Sequence, residues 1–144
     1  MASFTLRASI VAPIDIVFDV LADHQGQADR TLLRSSTLER EGDPPPNGLG
    51  AIRRLSLVGP PIREQVTVFE PPHRFAYKML SGVPVRSHIG TIELAQQGTG
   101  TLLTWQIDSI PKFPVPAAVW SALVRPAIKM LLTGVKNKAE VRAE

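Results

Sequence analysis

Only one segment of this sequence, residues 115–144, has the length and the apolar spacing of a long helix. Its apolar residues recur every four positions, which is the spacing of a single helix face; they are Val119, Leu123, Ala127, Leu131 and Val135. Pro126 interrupts the segment, where it removes one backbone hydrogen bond and crowds the carbonyl of Ala122. We therefore expect a kink, or a break into two helices, near Arg125.

The rest of the chain is dominated by patterns typical of strands. Residues 4–10 alternate apolar and polar side chains, as a half-buried strand does. Pro13 then favours a helix start, and short helices are predicted over residues 13–22 and 24–30. Six further strands, joined mostly by short turns that favour antiparallel neighbours, are predicted at residues 31–40, 51–58, 62–69, 74–80, 85–95 and 101–110.

These elements predict a single α+β domain over residues 1–144. A sheet of about seven strands must bury one face, and the C-terminal helix is the one element long enough to cover it. A curved sheet around one helix need not fill the space between them. Small side chains at Ala127 and Gly134, which we expect on the inner face of the helix, would enlarge that space, so a ligand cavity is predicted there.

Six short motifs, in this order along the chain, carry a resemblance to a known family. They are IVAPIDIVFDVLAD (10–23), GLGAIRR (48–54), IREQV (62–66), FEPPHR (69–74), LSGVPVR (80–86) and GTGTLLTW (98–105). Together they resemble the START/SRPBCC superfamily, and most closely its bacterial branch named for polyketide cyclases and dehydrases and for lipid transport. The resemblance implies the helix-grip fold, in which a seven-stranded antiparallel curved sheet wraps around a long C-terminal helix and two short helices follow strand 1. Members bind lipids, sterols, hormones, quinones or polyketides, and only some are enzymes.

Strand alternation places four polar side chains on the inner face of the predicted sheet. Glu64 shares a face with Val66 and Val68, and Tyr77 shares one with Phe75. Counting back from the apolar end of the next strand turns Arg86 and His88 inward, unless a bulge at Gly90 reverses the alternation. The aromatic and apolar residues predicted to line the cavity with them are Phe75, Trp105, Trp120, Leu123, Ala127 and Leu131.

Three interpretations of the polar set remain open. The side chains could hydrogen-bond the head group of a ligand. Glu64 and His88 could instead serve as base and acid for a cofactor-free cyclase, dehydratase or isomerase. In the third interpretation Glu64 and Arg86 form a structural ion pair at the cavity rim, since buried charges need partners, and His88 is a core or edge residue.

The leading functional hypothesis is therefore a protein that binds or carries a hydrophobic small molecule, lipid-like or polyketide-like. The alternative from another class is the cyclase or dehydratase that uses Glu64 and His88. A further alternative is a protein-interaction module, which would use the exposed sheet face or the basic tail and would have its cavity filled by its own side chains.

Composition excludes several other classes. The chain has no cysteine, which excludes disulfides, thiol nucleophiles and cysteine-ligated zinc. No His/Asp/Glu spacing predicts a metal site and no glycine loop predicts a phosphate cradle, so no cofactor is expected. The net charge of +3 is scattered; Arg53, Arg54 and the tail residues Lys136, Lys138 and Arg142 read as solvated, and nucleic-acid binding is not predicted.

From the sequence we expect neither a targeting segment nor a membrane-spanning segment. The N-terminus lacks the apolar stretch of a signal peptide. No run of about 18 uncharged apolar residues occurs, so no membrane-spanning helix is expected. A cytoplasmic location is the resulting expectation.

Overall fold

The computed structural model describes residues 2–23, 35–56 and 60–144, and in these residues it contains seven strands and two helices. The strands are β1 Ala2–Ile10, β2 Ser35–Arg40, β3 Ile52–Ser56, β4 Ile62–Glu70, β5 Arg74–Ser81, β6 Val85–Gln97 and β7 Gly100–Pro111. The helices are α1 Ile14–Ala22 and α2 Ala117–Arg142. The predicted second short helix at 24–30 lies outside the described residues, as do the first four residues of the strand predicted at 31–40.

All seven strands form one antiparallel sheet. Their order is β1-β7-β6-β5-β4-β3-β2, so β2 to β7 follow one another as a meander and β1 adds to the β7 edge. The β1–β7 pairing is regular over its whole length, from Ala2 opposite Ser109 to Ile10 opposite Thr101. The predicted α+β helix-grip architecture, with its seven-stranded curved sheet and long C-terminal helix, is confirmed.

Helix α1 begins after Pro13, whose carbonyl oxygen accepts hydrogen bonds from the backbone amides of Ile16 and Val17. Its buried side chains, among them Phe18, face the core. Phe18 meets the rings of Phe69 and Phe75 edge to face, at centroid distances of 5.3 and 6.2 Å. This aromatic cluster joins α1 to β4 and β5.

Helix α2 passes through Pro126 as one continuous helix of 26 residues, so the predicted break into two helices is wrong, whereas the kink stays a prediction. It packs against β1 and α1. Its buried side chains all lie beyond Pro126, at Ile128, Leu132, Val135 and Ala139. Gly134, predicted to enlarge the cavity from the inner face of the helix, is not among the residues that line the cavity; it lies with Pro126 and Met130 in a separate shallow depression.

Helix α2 is also long and apolar enough, by length and composition alone, to cross a membrane. The sequence expectation rested on the absence of an uncharged apolar run, and α2 has no such run, yet its average hydropathy is high enough. The reason is that the two cations within the apolar stretch, Arg125 and Lys129, are too few to lower its average hydropathy below that of a spanning helix. A core helix of a globular domain passes the same test, so the composition is weak evidence for a membrane span.

A bulge in β4 changes which side chains face the core. The pairing with β5 shifts between Val66, which lies opposite Tyr77, and Val68, which lies opposite Ala76. Phe69 then lies opposite Phe75 and packs against the buried cluster. The predicted inward position of Val68 is therefore wrong, because the bulge inserts one residue and reverses the alternation beyond it.

Candidate functional site

A cavity of about 300 Å³ lies between the inner face of the sheet and helix α2. This volume is at the lower end of the ~300–1,000 Å³ found for small-molecule sites. Most of the lining side chains are apolar. Besides the predicted residues, the cavity wall includes Leu21 of α1, Leu55, Ile62, Met79 and Val85 of the sheet, and Val124, Ile128, Met130 and Val135 of α2.

All but one of the residues predicted for this site line the cavity. The polar ones are Glu64, Tyr77 and His88, and the aromatic and apolar ones are Phe75, Trp105, Trp120, Leu123, Ala127 and Leu131. Strand alternation and helical spacing therefore placed these nine side chains correctly in the wall of the cavity. That these residues bind a ligand stays a prediction.

Arg86 is the exception, and its predicted inward position is wrong. Its side chain is exposed, and it is not among the residues that line the cavity. The pairing of β6 with β7 shifts between Val85 and Ser87, so a bulge at Arg86 reverses the alternation there. Because no bulge occurs at Gly90, His88 keeps its inward position while Arg86 loses it.

The buried partner of Glu64 is Arg53 rather than Arg86. Arg53 on β3 and Glu64 on β4 are directly opposite in the sheet, and a guanidinium nitrogen of Arg53 lies 3.5 Å from Oε1 of Glu64. Arg53 is only 1% exposed and Glu64 only 5%. The predicted Glu64–Arg86 ion pair and the solvated position expected for Arg53 are both wrong, since Arg53 shares the inner face with Leu55.

Arg53 makes further contacts that fix its guanidinium group. Nη2 donates a hydrogen bond of 2.7 Å to the carbonyl oxygen of Ala22, at the end of α1, and the guanidinium lies 5.0 Å from the centre of the Phe75 ring. Burial lowers the pKa of Arg53, and the charge of Glu64 opposes that change. Arginine nevertheless stays protonated in proteins, so Arg53 and Glu64 form an internally neutral pair in the cavity wall.

Tyr77 lies in the wall as a neutral phenol. Burial raises its pKa, and the negative charge of Glu64 raises it further. Its ring meets that of Trp105 edge to face, at a centroid distance of 6.4 Å. The Tyr77 hydroxyl can therefore offer or accept a hydrogen bond, but its high pKa makes it a poor proton donor in catalysis.

A second polar group forms where β6, β7 and α2 meet. His88 Nδ1 lies 3.0 Å from Oγ of Ser109, and Trp120 Nε1 donates a hydrogen bond of 2.8 Å to the same oxygen. His88 is 5% exposed and Ser109 is fully buried. Burial lowers the pKa of His88 below its ordinary value, which favours a neutral ring. This group ties the first turn of α2 to the sheet.

Sequence reasoning missed Arg53 and Ser109, although the strand alternation contained both. Ser109 continues the inward series of Leu103, Trp105 and Ile107 in β7. Arg53 of β3 lies on the same face as the buried Ala51, just before the strand, and Leu55. In each case a polar residue on an apolar face was the available signal, and it indicates a buried residue with a specific partner.

Comparison with known proteins gives one family match, which covers nearly the whole chain. The family model described as polyketide cyclase / dehydrase and lipid transport matches residues 1–140. No curated protein matches the sequence at a significant level. Among solved structures, a START superfamily protein from Mycobacterium smegmatis has a TM-score of 0.81 at 14% identity, with 97% of this chain and 98% of that chain covered.

Two further structures share the fold. The protein XoxI from Bacillus cereus has a TM-score of 0.77 at 19% identity, with 96% of each chain covered. The di-domain ARO/CYC StfQ from the steffimycin biosynthetic pathway has a TM-score of 0.78 at 15% identity; the match covers 99% of this chain and 52% of StfQ. At such identities the likeness establishes the architecture of the chain.

Proposed function

Because the chain belongs to the polyketide cyclase/dehydrase and lipid transport family, we propose that it binds a hydrophobic small molecule, lipid-like or polyketide-like, between the sheet and α2. The observation that supports this most is the cavity itself: its wall is mainly apolar, and its two buried charges, Arg53 and Glu64, neutralise each other. Such a wall favours an uncharged, largely apolar occupant, because an isolated ion would lose its hydration there without compensation.

The size of the expected ligand follows from the energetics of burial. Each buried methylene group contributes about 0.8 kcal/mol, whereas association costs about 4–15 kcal/mol of lost translational and rotational freedom and ordering. A ligand therefore needs about five to twenty buried carbons to offset that cost, or fewer carbons with a polar contact. A cavity of about 300 Å³ suits a molecule of that size.

The test is native mass spectrometry of gently purified protein, followed by solvent extraction and mass analysis of whatever is released. Ala127→Trp is the informative variant, because Ala127 lines the cavity and an indole there would occupy ligand space. Ala122→Trp is its matched control: the same substitution in the same helix, at an exposed position outside the cavity wall. We expect the adduct, or the binding of an added apolar fluorophore, to be lost in the first variant alone.

Two results would contradict the proposal. One is a wild-type protein that neither carries an adduct nor binds apolar fluorophores. The other is equal binding by wild type and Ala127→Trp, which would place the ligand elsewhere. A loss of binding in both variants would indicate that bulk on α2, rather than occupation of the cavity, is responsible.

A cofactor-free cyclase or dehydratase is the second candidate, supported by the presence of Glu64 and His88 in one cavity wall. Glu64 is the counter-ion of Arg53, so its removal threatens the fold and is a poor test of catalysis. His88→Gln is the better test, with turnover of an extracted ligand measured by mass analysis. If His88→Gln abolishes turnover but still binds the ligand, the result favours the enzyme. If wild type shows no turnover, the result favours the binding protein.

The protein-interaction module requires a cavity filled by its own side chains. The free volume of about 300 Å³ between the sheet and α2 therefore favours the binding of a small molecule over this alternative.

A further inference from the structure

The ring of His88 has one nitrogen with a partner and one without. Nδ1 faces Oγ of Ser109 at 3.0 Å. Nε2 is buried and has no hydrogen-bond partner within the described ranges. A buried polar atom left without a partner is costly, and the side chain that carries this one lines the cavity. The unpaired nitrogen is therefore a candidate contact for whatever occupies the cavity.

Which ring nitrogen carries the proton follows from the hydrogens around Ser109. The indole of Trp120 can only donate, so Oγ of Ser109 accepts at 2.8 Å. The hydroxyl proton of Ser109 then needs an acceptor of its own. Across the part of the chain that the structure describes, His88 Nδ1 is the one further side-chain partner of that hydroxyl.

The two tautomers of a neutral His88 differ in whether the hydroxyl proton of Ser109 has a hydrogen-bond acceptor. With the proton on Nδ1, both His88 and Trp120 would donate to Oγ, and the hydroxyl proton of Ser109 would be buried without an acceptor. With the proton on Nε2, Trp120 donates to Ser109 and Ser109 donates to Nδ1, so the chain of donors is complete. Burial of the ring, which favours its neutral form, is consistent with this assignment.

We propose that Trp120 and Ser109 hold His88 as the Nε2–H tautomer, and that this N–H selects cavity ligands with a neutral hydrogen-bond acceptor, such as the carbonyl of a ketone. This inference rests on the proposed function and adds the polarity of the ligand to it. Among the described residues, Arg53 is the only cation in the cavity wall, and it is already paired with Glu64. A neutral acceptor is therefore favoured over a carboxylate. Trp120 and Ser109 act as positioning residues.

The tautomer is tested first, without any ligand. Long-range ¹H–¹⁵N correlation spectra of the ¹⁵N-labelled protein near neutral pH separate a protonated ring nitrogen from a bare one. We expect Nε2 to be protonated and Nδ1 to be bare in wild type. Ser109→Ala removes the donor to Nδ1, and we expect it to give a mixture of both tautomers. An Nδ1–H tautomer in wild type would overturn the inference.

Ligand choice is tested with two probes of equal shape, 2-acetylnaphthalene and 2-isopropenylnaphthalene, which differ in a carbonyl oxygen against a methylene group. Each affinity is first corrected for the partition of that probe out of water. We then expect wild type to bind the ketone about tenfold more tightly than the alkene, a factor that one buried hydrogen bond can provide. In His88→Leu this preference should vanish while both probes still bind. Arg86→Leu, on the same strand but exposed and outside the cavity wall, should keep the preference.

The outcomes separate this inference from the function on which it rests. Equal preference in wild type and His88→Leu would overturn the role of His88 alone, since both proteins would still bind apolar probes. Failure of wild type to bind either probe would overturn the proposed function, and the selectivity with it.

Discussion

The ring of Tyr77 lies directly against Gly90, the residue opposite it on β6, so that a methyl group at position 90 would overlap the ring atoms of the phenol. Glycine inside a strand is otherwise unfavourable by about 0.5–1 kcal/mol. Here it gives the Tyr77 ring the space to lie against the sheet and meet Trp105 edge to face. The glycine therefore shapes the cavity wall without being a turn or a bulge.

Gly90→Ala should destabilise the protein by about 1–3 kcal/mol, because an added methyl group forces a buried ring out of its position. Urea denaturation of wild type and variant measures the change in the free energy of unfolding. Repeating the substitution in a Tyr77→Leu background gives the control, where the smaller side chain should reduce the cost. An equal cost in both backgrounds would mean that the strain lies in the backbone.

The buried Arg53–Glu64 pair predicts strong coupling between two substitutions. Glu64→Leu alone leaves a buried guanidinium without its counter-ion and should cost about 3–5 kcal/mol. Arg53→Met with Glu64→Leu should cost clearly less than the sum of the single variants, because the double variant buries no unpaired charge. A residual loss of about 1–3 kcal/mol is expected from the carbonyl of Ala22, which loses its donor. Additive single effects in a double-mutant cycle would contradict the pairing.

Pro126 predicts a gain in stability on substitution. It lies in the middle of α2, where proline costs about 3 kcal/mol relative to alanine. Pro126→Ala restores the amide that can donate to the carbonyl of Ala122 and should raise the free energy of unfolding by up to about that amount. Pro126→Gly should gain about 1 kcal/mol less. A loss of stability in Pro126→Ala would show that the proline is needed for the packing of α2.

His88 predicts a stability that decreases in mild acid. Burial lowers its pKa in the folded protein from the ordinary value of 6.5. Between the folded and the unfolded pKa the unfolded chain binds a proton that the folded chain does not, so the free energy of unfolding falls as the pH drops below 6.5. Above that pH this contribution is fully present.

The measurement is urea denaturation of wild type and His88→Gln at several pH values between about 8 and 5. The other two histidines are unchanged in the variant, so the difference between the two proteins isolates the His88 contribution. We expect the variant to show the flatter profile. Parallel profiles would mean that His88 titrates alike in the folded and unfolded chains.

The sequence was sufficient for the architecture and for most of the cavity wall, because both depend on periodicity. Alternation in β5, β6 and β7 placed Tyr77, His88 and Trp105 inward, and helical spacing placed Leu123, Ala127 and Leu131. The failures occur where a single residue breaks a period. The bulges in β4 and β6 reversed Val68 and Arg86, and neither bulge follows from the residue types around it.

The ion pair was missed for a different reason. Arg53 was interpreted together with Arg54 as a basic surface cluster, although adjacent residues in a strand face opposite sides of the sheet. Its partner depends on register, because Arg53 lies opposite Glu64 only in the β3–β4 pairing that the structure has. Register between strands is set by the turns and by the packing of the whole sheet, which a reading of each strand by itself does not include.

The two parts of α2, before and beyond Pro126, differ in how deeply their side chains are buried. Beyond Pro126, Ile128, Leu132 and Ala139 are buried in the core, and their replacement would cost stability. Before it, Leu123 lines the cavity although its side chain is largely exposed, and a change there would alter the cavity wall at little cost in stability. On the proposed function, substitution of Leu123 is therefore expected to change which molecules the cavity accepts while the fold persists, whereas Trp120 in the same turns is held by its hydrogen bond to Ser109.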